Sequence, residues 1–302
     1  MFETLNSKKA HEKKLGVAHS ELGVSIDFPV TVFILPPTMS DPLASSEPSG
    51  PDAVEVVGRG RYAVTGMLGE GSQGETLEAV DKRDGRLVAI KRFRIKGAAS
   101  WKDVELAERE AHVLSGLEHP SLPRYIEHFE ESGVLYLVMD RLTGKSLGGF
   151  QKRGPLDQHA VVQLLNDMAD VLDYLHLRAP PIIHRDIKPG NIIRRPDGAF
   201  ALVDFGSVRD RLKPEGGSTV VGTFGYMAPE QFQGRALPVS DVYGVGATAL
   251  ALLTGRDPDA LPHQGLGLDV ARALSGQVDA RLVHVLSAML RPDPDQRAPR
   301  LS

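Results

Sequence analysis

The sequence contains no cysteine, and this absence excludes several kinds of chemistry. Without a thiol, the 302-residue chain can form neither a disulfide, nor a thiolate zinc site, nor a cysteine nucleophile. A chain without cysteine is compatible with a reducing compartment, and we expect a cytoplasmic protein.

An excess of positive charge is also missing. The formal net charge is −4, which gives no electrostatic reason to expect a nucleic-acid partner. Long apolar runs are absent too: the longest candidate, 242–253, is interrupted by two glycines and is shorter than the ~20 residues of a membrane-spanning helix. With 41% hydrophobic and 25% charged residues, the composition is that of an ordinary globular protein. We therefore expect no membrane span.

Residues 1–57 differ in character from the rest of the chain. Four lysines lie between Lys8 and Lys14, and the short apolar run 28–35 is bounded by prolines and followed by no signal-peptide cleavage pattern. Residues 36–51 are rich in Pro, Ser, Asp and Gly, which is typical of a linker. We expect a poorly ordered extension whose apolar run docks on the main domain. A partner-binding segment or a misassigned translation start is the alternative.

A glycine-rich segment lies between two expected strands. Residues 62–68 and 75–80 read as strands, and Gly69, Gly71 and Gly74 lie between them. Glycine at such positions lets backbone amides approach phosphates closely. A dinucleotide-binding fingerprint would open a helix instead, so the pattern favours another phosphate-binding loop, although it is weak alone.

Further apolar patterns predict a small sheet and one helix. The Asp84-Gly85 turn leads into an apolar strand that ends at Lys91. The helical pattern 104–117 follows. Two more strands, at 125–129 and 134–139, complete an expected five-stranded antiparallel sheet.

Acidic, basic and amide side chains are concentrated in His184-Arg185-Asp186-Ile187-Lys188-Pro189-Gly190-Asn191, after the strongly apolar helical pattern 159–177. Asp204-Phe205-Gly206 follows thirteen residues after Asn191. A lone Asp or Asn is usually a loop cap. Together, however, a carboxylate, an ammonium group and an amide oxygen suit phosphoryl transfer, in which positioning and charge neutralisation dominate.

The segment Gly222-Thr223-Phe224-Gly225-Tyr226-Met227-Ala228-Pro229-Glu230 completes an ordered set of motifs. Over residues 59–302 this set resembles the eukaryotic-type (Hanks-type) Ser/Thr protein kinase family. The resemblance implies an α+β, bilobal protein kinase fold, with a small antiparallel-sheet N-lobe that carries one helix (58–140) and a larger, mainly helical C-lobe (141–302). It also implies ATP, Mg²⁺ and protein substrates with Ser or Thr, since tyrosine kinases usually replace the Asp-x-Lys pattern.

The resemblance assigns catalytic roles residue by residue. Asp186 orients the substrate hydroxyl and accepts its proton, while Lys188 neutralises charge on the transferring phosphate. Lys91 contacts the α- and β-phosphates and pairs with Glu110, for which Glu105 and Glu108 are alternatives. The implied Mg²⁺ ligands are Asn191 and Asp204.

The resemblance also implies an ATP pocket. Thr76 stands where the family usually has Val. Met139 stands where the family has the residue that gates the rear of the adenine pocket, and residues 140–142 match the hinge. The implied ATP-binding residues are Leu68, Gly69, Glu70, Gly71, Ser72, Gln73, Gly74, Thr76, Ala89, Lys91, Met139, Asp140, Leu142 and Ile193.

Regulation by phosphorylation is implied at Thr219, with Ser218 as the alternative. A phosphate there adds roughly −1.5 to −2 charges, and Arg185 and Arg209 are placed to receive it. The other possibility is that both hydroxyls merely solvate a glycine-rich turn.

Three further residues are implied to have structural roles. Glu230 is expected to be buried and paired with Arg297, because a buried carboxylate needs a partner. Asp241 is expected to brace the catalytic loop.

Two other functions remain open. A pseudokinase would bind nucleotide or partners without catalysis, although Lys91, Asp186, Asn191 and Asp204 are all present. A small-molecule kinase on a related fold would generally lack the Ala-Pro-Glu ending.

Overall fold

A computed structural model describes residues 54–71, 74–94, 100–208 and 222–300, and every structural statement below refers to these parts of the chain. Its largest sheet is antiparallel and has six strands in the order β1-β2-β3-β4-β6-β5. The strands are β1 (Val56–Val57), β2 (Tyr62–Gly71), β3 (Gly74–Asp81), β4 (Leu87–Arg94), β5 (Tyr125–Glu131) and β6 (Val134–Asp140).

Strand β1 corrects the five-stranded sheet that the sequence predicted. Val56 pairs with Ala63 of β2, and the neighbouring Glu55 accepts the amide of Val64 and forms an ion pair with Arg92 at 2.6 Å. Two residues are too few to show a period-2 pattern, so the sequence could not reveal this strand. The first described strand begins two residues before the lobe boundary suggested at residue 58.

Helix α1 (Ser100–Ser115) packs on one face of this sheet. Because side chains alternate between faces along a strand, Ala89 and Phe93 of β4 join a core that includes helix residue Ala111, whereas Val88 and Ile90 join a second core on the opposite face. Lys91 lies between Ala89 and Phe93 in this alternation. The strand period therefore directs Lys91 towards the helix.

The remaining elements are mainly helical. Helix α3 buries the apolar stripe that the sequence predicted, and nearly all of α5 is buried. No helix in the described parts of the chain is long and apolar enough to cross a membrane. The elements are β7 (Lys145–Ser146), α2 (Phe150–Arg153), α3 (Gln158–His176), β8 (Ile192–Arg194), β9 (Phe200–Leu202), α4 (Pro229–Phe232), α5 (Pro238–Thr254), β10 (His263–Gln264), β11 (Gly267–Leu268), α6 (Val270–Leu274) and α7 (Ala280–Met289).

The β8–β9 hairpin brings two chemically important segments together. Ile192 pairs with Leu202, and the amide of Val203 donates to the carbonyl of Asn191 at 2.9 Å. Asn191 and Asp204, thirteen residues apart in sequence, therefore lie at the same end of the hairpin.

Candidate active site

Lys91 connects three separate elements at the centre of the site. Its ammonium group donates to Glu110 Oε2 at 2.8 Å and to Asp204 Oδ1 at 2.6 Å. Lys91 and Glu110 are buried, and part of the Asp204 side chain is exposed. Of the two alternative glutamates, Glu105 pairs with Arg109 at the surface and Glu108 is exposed.

Burial and charge act in opposite directions on these groups. Burial lowers the pKa of Lys91, but attraction to Glu110 and Asp204 outweighs this effect and the net shift is upward. Burial raises the pKa of the Glu110 carboxyl, and the nearby Lys91 does not fully offset that rise. For Asp204, attraction to Lys91 overcomes burial, so its pKa is lowered. One ammonium group is thus shared by two carboxylates, and the more deeply buried carboxylate binds its proton more readily.

A second polar cluster surrounds Asp186. Lys188 Nζ lies 2.8 Å from Asp186 Oδ2 and 2.7 Å from the hydroxyl oxygen of Thr223. The Thr223 hydroxyl donates to Asp186 Oδ1 at 2.9 Å. Asn191 donates from its side-chain amide to the carbonyl of Asp186 at 2.8 Å. A carboxylate, an ammonium group and a hydroxyl are therefore in mutual contact, in the arrangement that proton acceptance from a hydroxyl requires.

The backbone that carries Asp186 is held by the buried Asp241 at the start of α5. Its carboxylate accepts the amides of His184 at 2.9 Å and Arg185 at 2.8 Å, and it contacts His176 Nε2 at 2.9 Å. Two residues of the site have left-handed backbone, which is unusual for residues other than glycine: Arg185 has a φ of 73°, and Asp204 has a φ of 69°. Left-handed backbone at such residues costs about 1–3 kcal/mol and persists only where the surroundings enforce it.

Asn191 and Asp204 provide the oxygen atoms that a hard cation prefers. Since the Asn191 side chain donates through its nitrogen to Asp186, its side-chain oxygen is the atom left to act as a ligand. No group of three or more His, Cys, Asp or Glu side chains in the described ranges could hold a metal on its own. This donor set fits Mg²⁺, which is usually bound by one or two carboxylates together with substrate phosphates.

Among the described residues of the implied ATP pocket, Leu142 follows the end of β6, and the others lie on strands β2, β3, β4, β6 and β8. Thr76 pairs with Lys91, and Ala89 pairs with Met139. At Gly74, with a φ of 140°, an added Cβ would lie 2.2 Å from the carbonyl oxygen of Arg92, so only glycine fits. Ala89 and Met139 are buried, Leu68, Gly69 and Glu70 are exposed, and Thr76, Asp140, Leu142 and Ile193 are partly buried.

Several predicted residues lie outside the described ranges: Ser72, Gln73, Arg209, Ser218 and Thr219. For Gly71, only its pairing with Gly74 across the β2–β3 turn is described. The Arg185 side chain is buried and lies 3.4 Å from the carbonyl oxygen of Ser207. Reception of a phosphate by Arg185 stays a prediction.

Two positioning residues were missed in the sequence. Thr223 contacts both Asp186 and Lys188, although the sequence analysis named it only as a member of the segment 222–230. Gln231, buried in α4, donates to the carbonyl of Arg185 at 2.9 Å. The Gly-Thr pair before Ala-Pro-Glu was a usable signal for Thr223, whereas nothing in the sequence distinguishes Gln231 from a surface glutamine.

Comparisons with known proteins agree with this geometry. Residues 62–299 match the family model of the protein kinase domain. Serine/threonine-protein kinase B of Synechocystis is 35% identical over 218 residues, which are 66% of this chain and 38% of that protein. Serine/threonine-protein kinase C of Synechocystis is 36% identical over 255 residues, 78% of this chain and 47% of that protein.

A third relative is serine/threonine-protein kinase PknA of Nostoc, 35% identical over 249 residues, 74% of this chain and 44% of that protein. The chain thus spans less than half the length of these relatives. The family model covers most of the chain and includes both polar clusters. This chain belongs to the protein kinase family, the family that its ordered motifs resemble.

Proposed function

We propose that the chain is a Ser/Thr protein kinase that transfers the γ-phosphoryl group of ATP to hydroxyl groups of proteins. The observation that carries the proposal is the cluster of Asp186, Lys188 and Thr223, joined through Asn191 to Asp204 and Lys91. The family fold implies a sheet-bearing N-lobe and a helical C-lobe around this site. A cytoplasmic location stays a prediction.

In the proposed reaction, the substrate hydroxyl takes the position beside Asp186 Oδ1 that the Thr223 hydroxyl contacts in this structure. The hydroxyl oxygen bonds to the γ-phosphorus, the bond from that phosphorus to the β–γ bridging oxygen breaks, and ADP leaves. The proton goes to Asp186, while Lys188 stabilises charge on the transferring group.

Asn191 and Asp204 would hold Mg²⁺, which neutralises phosphate charge when it is bound. Lys91 would contact the α- and β-phosphates, and Glu110 would hold Lys91 in place. Because Lys91 is now hydrogen-bonded to Asp204, this role requires the ammonium group to exchange part of that contact for phosphate oxygens.

The test is transfer of radiolabelled phosphate from ATP to a generic protein substrate. Asp186→Asn keeps the shape but removes the proton acceptor, so the rate should fall roughly 10²–10⁴-fold. Asp170→Asn, at an exposed carboxylate on α3, is the matched control and should keep the parental rate. Transfer at equal rates by parent and Asp186→Asn would refute the mechanism.

The pseudokinase alternative predicts a different result. Nucleotide would bind, but no label would appear on any substrate, and Asp186→Asn would change nothing measurable. Activation through Thr219 or Ser218 remains a separate proposal, tested by mapping phosphosites after incubation with ATP and by the rate of Thr219→Ala.

A further inference from the structure

Arg141, which directly follows strand β6, forms an ion pair with Glu78 of β3. The distance from Arg141 Nε to Glu78 Oε1 is 2.5 Å, and the two side chains are 21% and 26% exposed. The guanidinium group of Arg141 also donates to the carbonyl of the neighbouring Leu142 at 2.9 Å. One cation therefore connects a side chain of the sheet to the backbone of residues 140–142, the implied hinge.

Glu78 lies on the face of the sheet that carries Lys91. Cross-strand partners in an antiparallel sheet share a face, and Glu78 pairs with Ala89, which in turn pairs with Met139. Thr76 pairs with Lys91 in the same way. Residues two apart on a strand point to the same face and are about 6.8 Å apart. The row that contains Glu78 is therefore one step along the sheet from the ammonium group that is proposed to contact phosphates.

The face of β3 that carries Glu78 is partly open. Leu77 and Ala79 point to the opposite face and are buried in its core. Thr76 and Glu78 alternate with them along the strand and are only partly buried. A nucleotide whose phosphates bind at Lys91 therefore meets partly exposed side chains along this face and can place its base beside Glu78.

We propose that Arg141 and Glu78 are positioning residues for the nucleotide, and that their ion pair raises the affinity for the adenine base by fixing the backbone of residues 141–142 against β3. This inference rests on the proposed function. Backbone groups that are already oriented bind a base more tightly, because ordering them during binding costs affinity. The ion pair should therefore affect nucleotide binding and leave the chemical step unchanged.

A second ion pair at the hinge provides a matched comparison. Arg124 Nε lies 2.9 Å from Asp140 Oδ2, and both side chains are more exposed than those of the Arg141–Glu78 pair. Asp140 pairs with Val88, whose side chain belongs to the core on the opposite face of the sheet. Breaking this pair removes an ion pair of the hinge without changing the proposed nucleotide face.

The experiment measures nucleotide binding and catalysis with the full chain. The dissociation constants of ADP and adenosine, and kcat and KM for ATP, are determined for the parent, Arg141→Gln, Glu78→Gln and the control Arg124→Gln. Arg141→Gln and Glu78→Gln should each weaken the binding of both ligands by about threefold to tenfold, the scale of a partly buried charged contact. KM for ATP should rise by a similar factor while kcat stays within about twofold of the parent, which indicates a loss of binding and not of chemistry. Arg124→Gln should keep the parental values.

Adenosine separates an effect on the base from an effect on the phosphates. Because the ion pair is proposed to act on the base, adenosine and ADP should lose affinity by the same factor. Arg141→Gln combined with Glu78→Gln should lose no more affinity than the more affected single variant, since both changes break one contact. The exchange variant, Arg141→Glu with Glu78→Arg, restores the ion pair but not the bond to the Leu142 carbonyl, and it should recover part of the affinity.

Different results would overturn different claims. Parental affinity for ADP and adenosine in Arg141→Gln and Glu78→Gln refutes the inference and leaves the proposed function standing, and a lower Tm with unchanged affinity assigns the pair a structural role only. A loss of affinity for ADP alone, or an equal loss in Arg124→Gln, also refutes the inference. A parent that binds no adenine nucleotide would refute the proposed function, and the inference with it.

Discussion

The ion pairs Arg297–Glu230 and Lys91–Glu110 are both buried, but their hydrogen bonding differs. Arg297 makes two parallel bonds to Glu230, at 2.6 and 2.9 Å, and Ser240 donates to the same carboxylate at 2.6 Å. Further N–H groups of Arg297 donate to the backbone carbonyls of Arg291, Val239 and Pro292. Lys91, in contrast, is shared between the carboxylates of Glu110 and Asp204.

This difference separates a structural pair from a functional one. Burial raises the pKa of Glu230, but hydrogen bonds from Arg297 and Ser240 outweigh it and the net pKa is lowered, whereas the pKa of Glu110 is raised. Because the charged groups of the Arg297–Glu230 pair are hydrogen-bonded, the pair holds Glu230, the last residue of the Ala-Pro-Glu motif, in a fixed position against Arg297. A shared pair can exchange partners, as the proposed contact of Lys91 with phosphates requires.

The largest effect is expected at the satisfied pair. Arg297→Met leaves a buried carboxylate without its cation, which costs about 3–5 kcal/mol of unfolding free energy. At roughly 2–4 °C per kcal/mol for a domain of this size, the Tm should fall by about 6–20 °C. Urea unfolding of the variant beside Arg291→Met, a control at an exposed side chain, measures this. Equal stability of the two variants would contradict a structural role for the Arg297–Glu230 pair.

The second prediction concerns the Lys91–Glu110 pair, where we expect a loss of activity without a loss of stability. Lys91→Met combined with Glu110→Leu removes both buried charges and fills their space, and the Asp204 carboxylate that also loses Lys91 is partly exposed to water. The unfolding free energy should therefore be unchanged or higher. Phosphotransfer should nevertheless fall roughly 10²–10³-fold, because a positioned cation is lost. The matched double variant Arg297→Met with Glu230→Leu should be destabilised, since Ser240 and three backbone carbonyls lose their partner. Equal stability changes in the two double variants would contradict the distinction.

The smallest expected effect is a difference between the pH at which phosphotransfer declines and the pH at which the protein unfolds. A raised pKa means that Glu110 takes up a proton as the pH falls, while still above the ordinary carboxyl range near 4.5, and this loosens its hold on Lys91. A lowered pKa means that Glu230 stabilises the fold above its unfolded-state pKa, and this stability is lost as the pH falls through its lower folded-state pKa.

Phosphotransfer should therefore decline at a higher pH than the one at which the fold is lost. Parallel rate and circular-dichroism profiles between pH 7 and 3 measure both transitions, and Glu110→Gln should move the acid limb of the rate profile to lower pH. A single coincident transition in the parent would contradict this prediction.

Elements with a long local pattern were predictable. The sequence predicted a helix at 159–177, and α3 covers Gln158–His176, because its apolar stripe repeats from Val161 to Leu175. Helix α1 was placed at 104–117 and covers Ser100–Ser115. Strand β1 was missed because its two residues are set by pairing with β2 and carry no pattern of their own.

By itself, the sequence determined which chemical groups are present and their order along the chain, since Asp186, Lys188, Asn191 and Asp204 lie in short, recognisable motifs. Only the tertiary structure decided which glutamate meets Lys91. Residues of a helix are separated by 100° of rotation, so Glu105, Glu108 and Glu110 point in different directions. The burial of Ala107, Ala111 and Leu114 against the sheet sets that rotation, and with it the choice of Glu110.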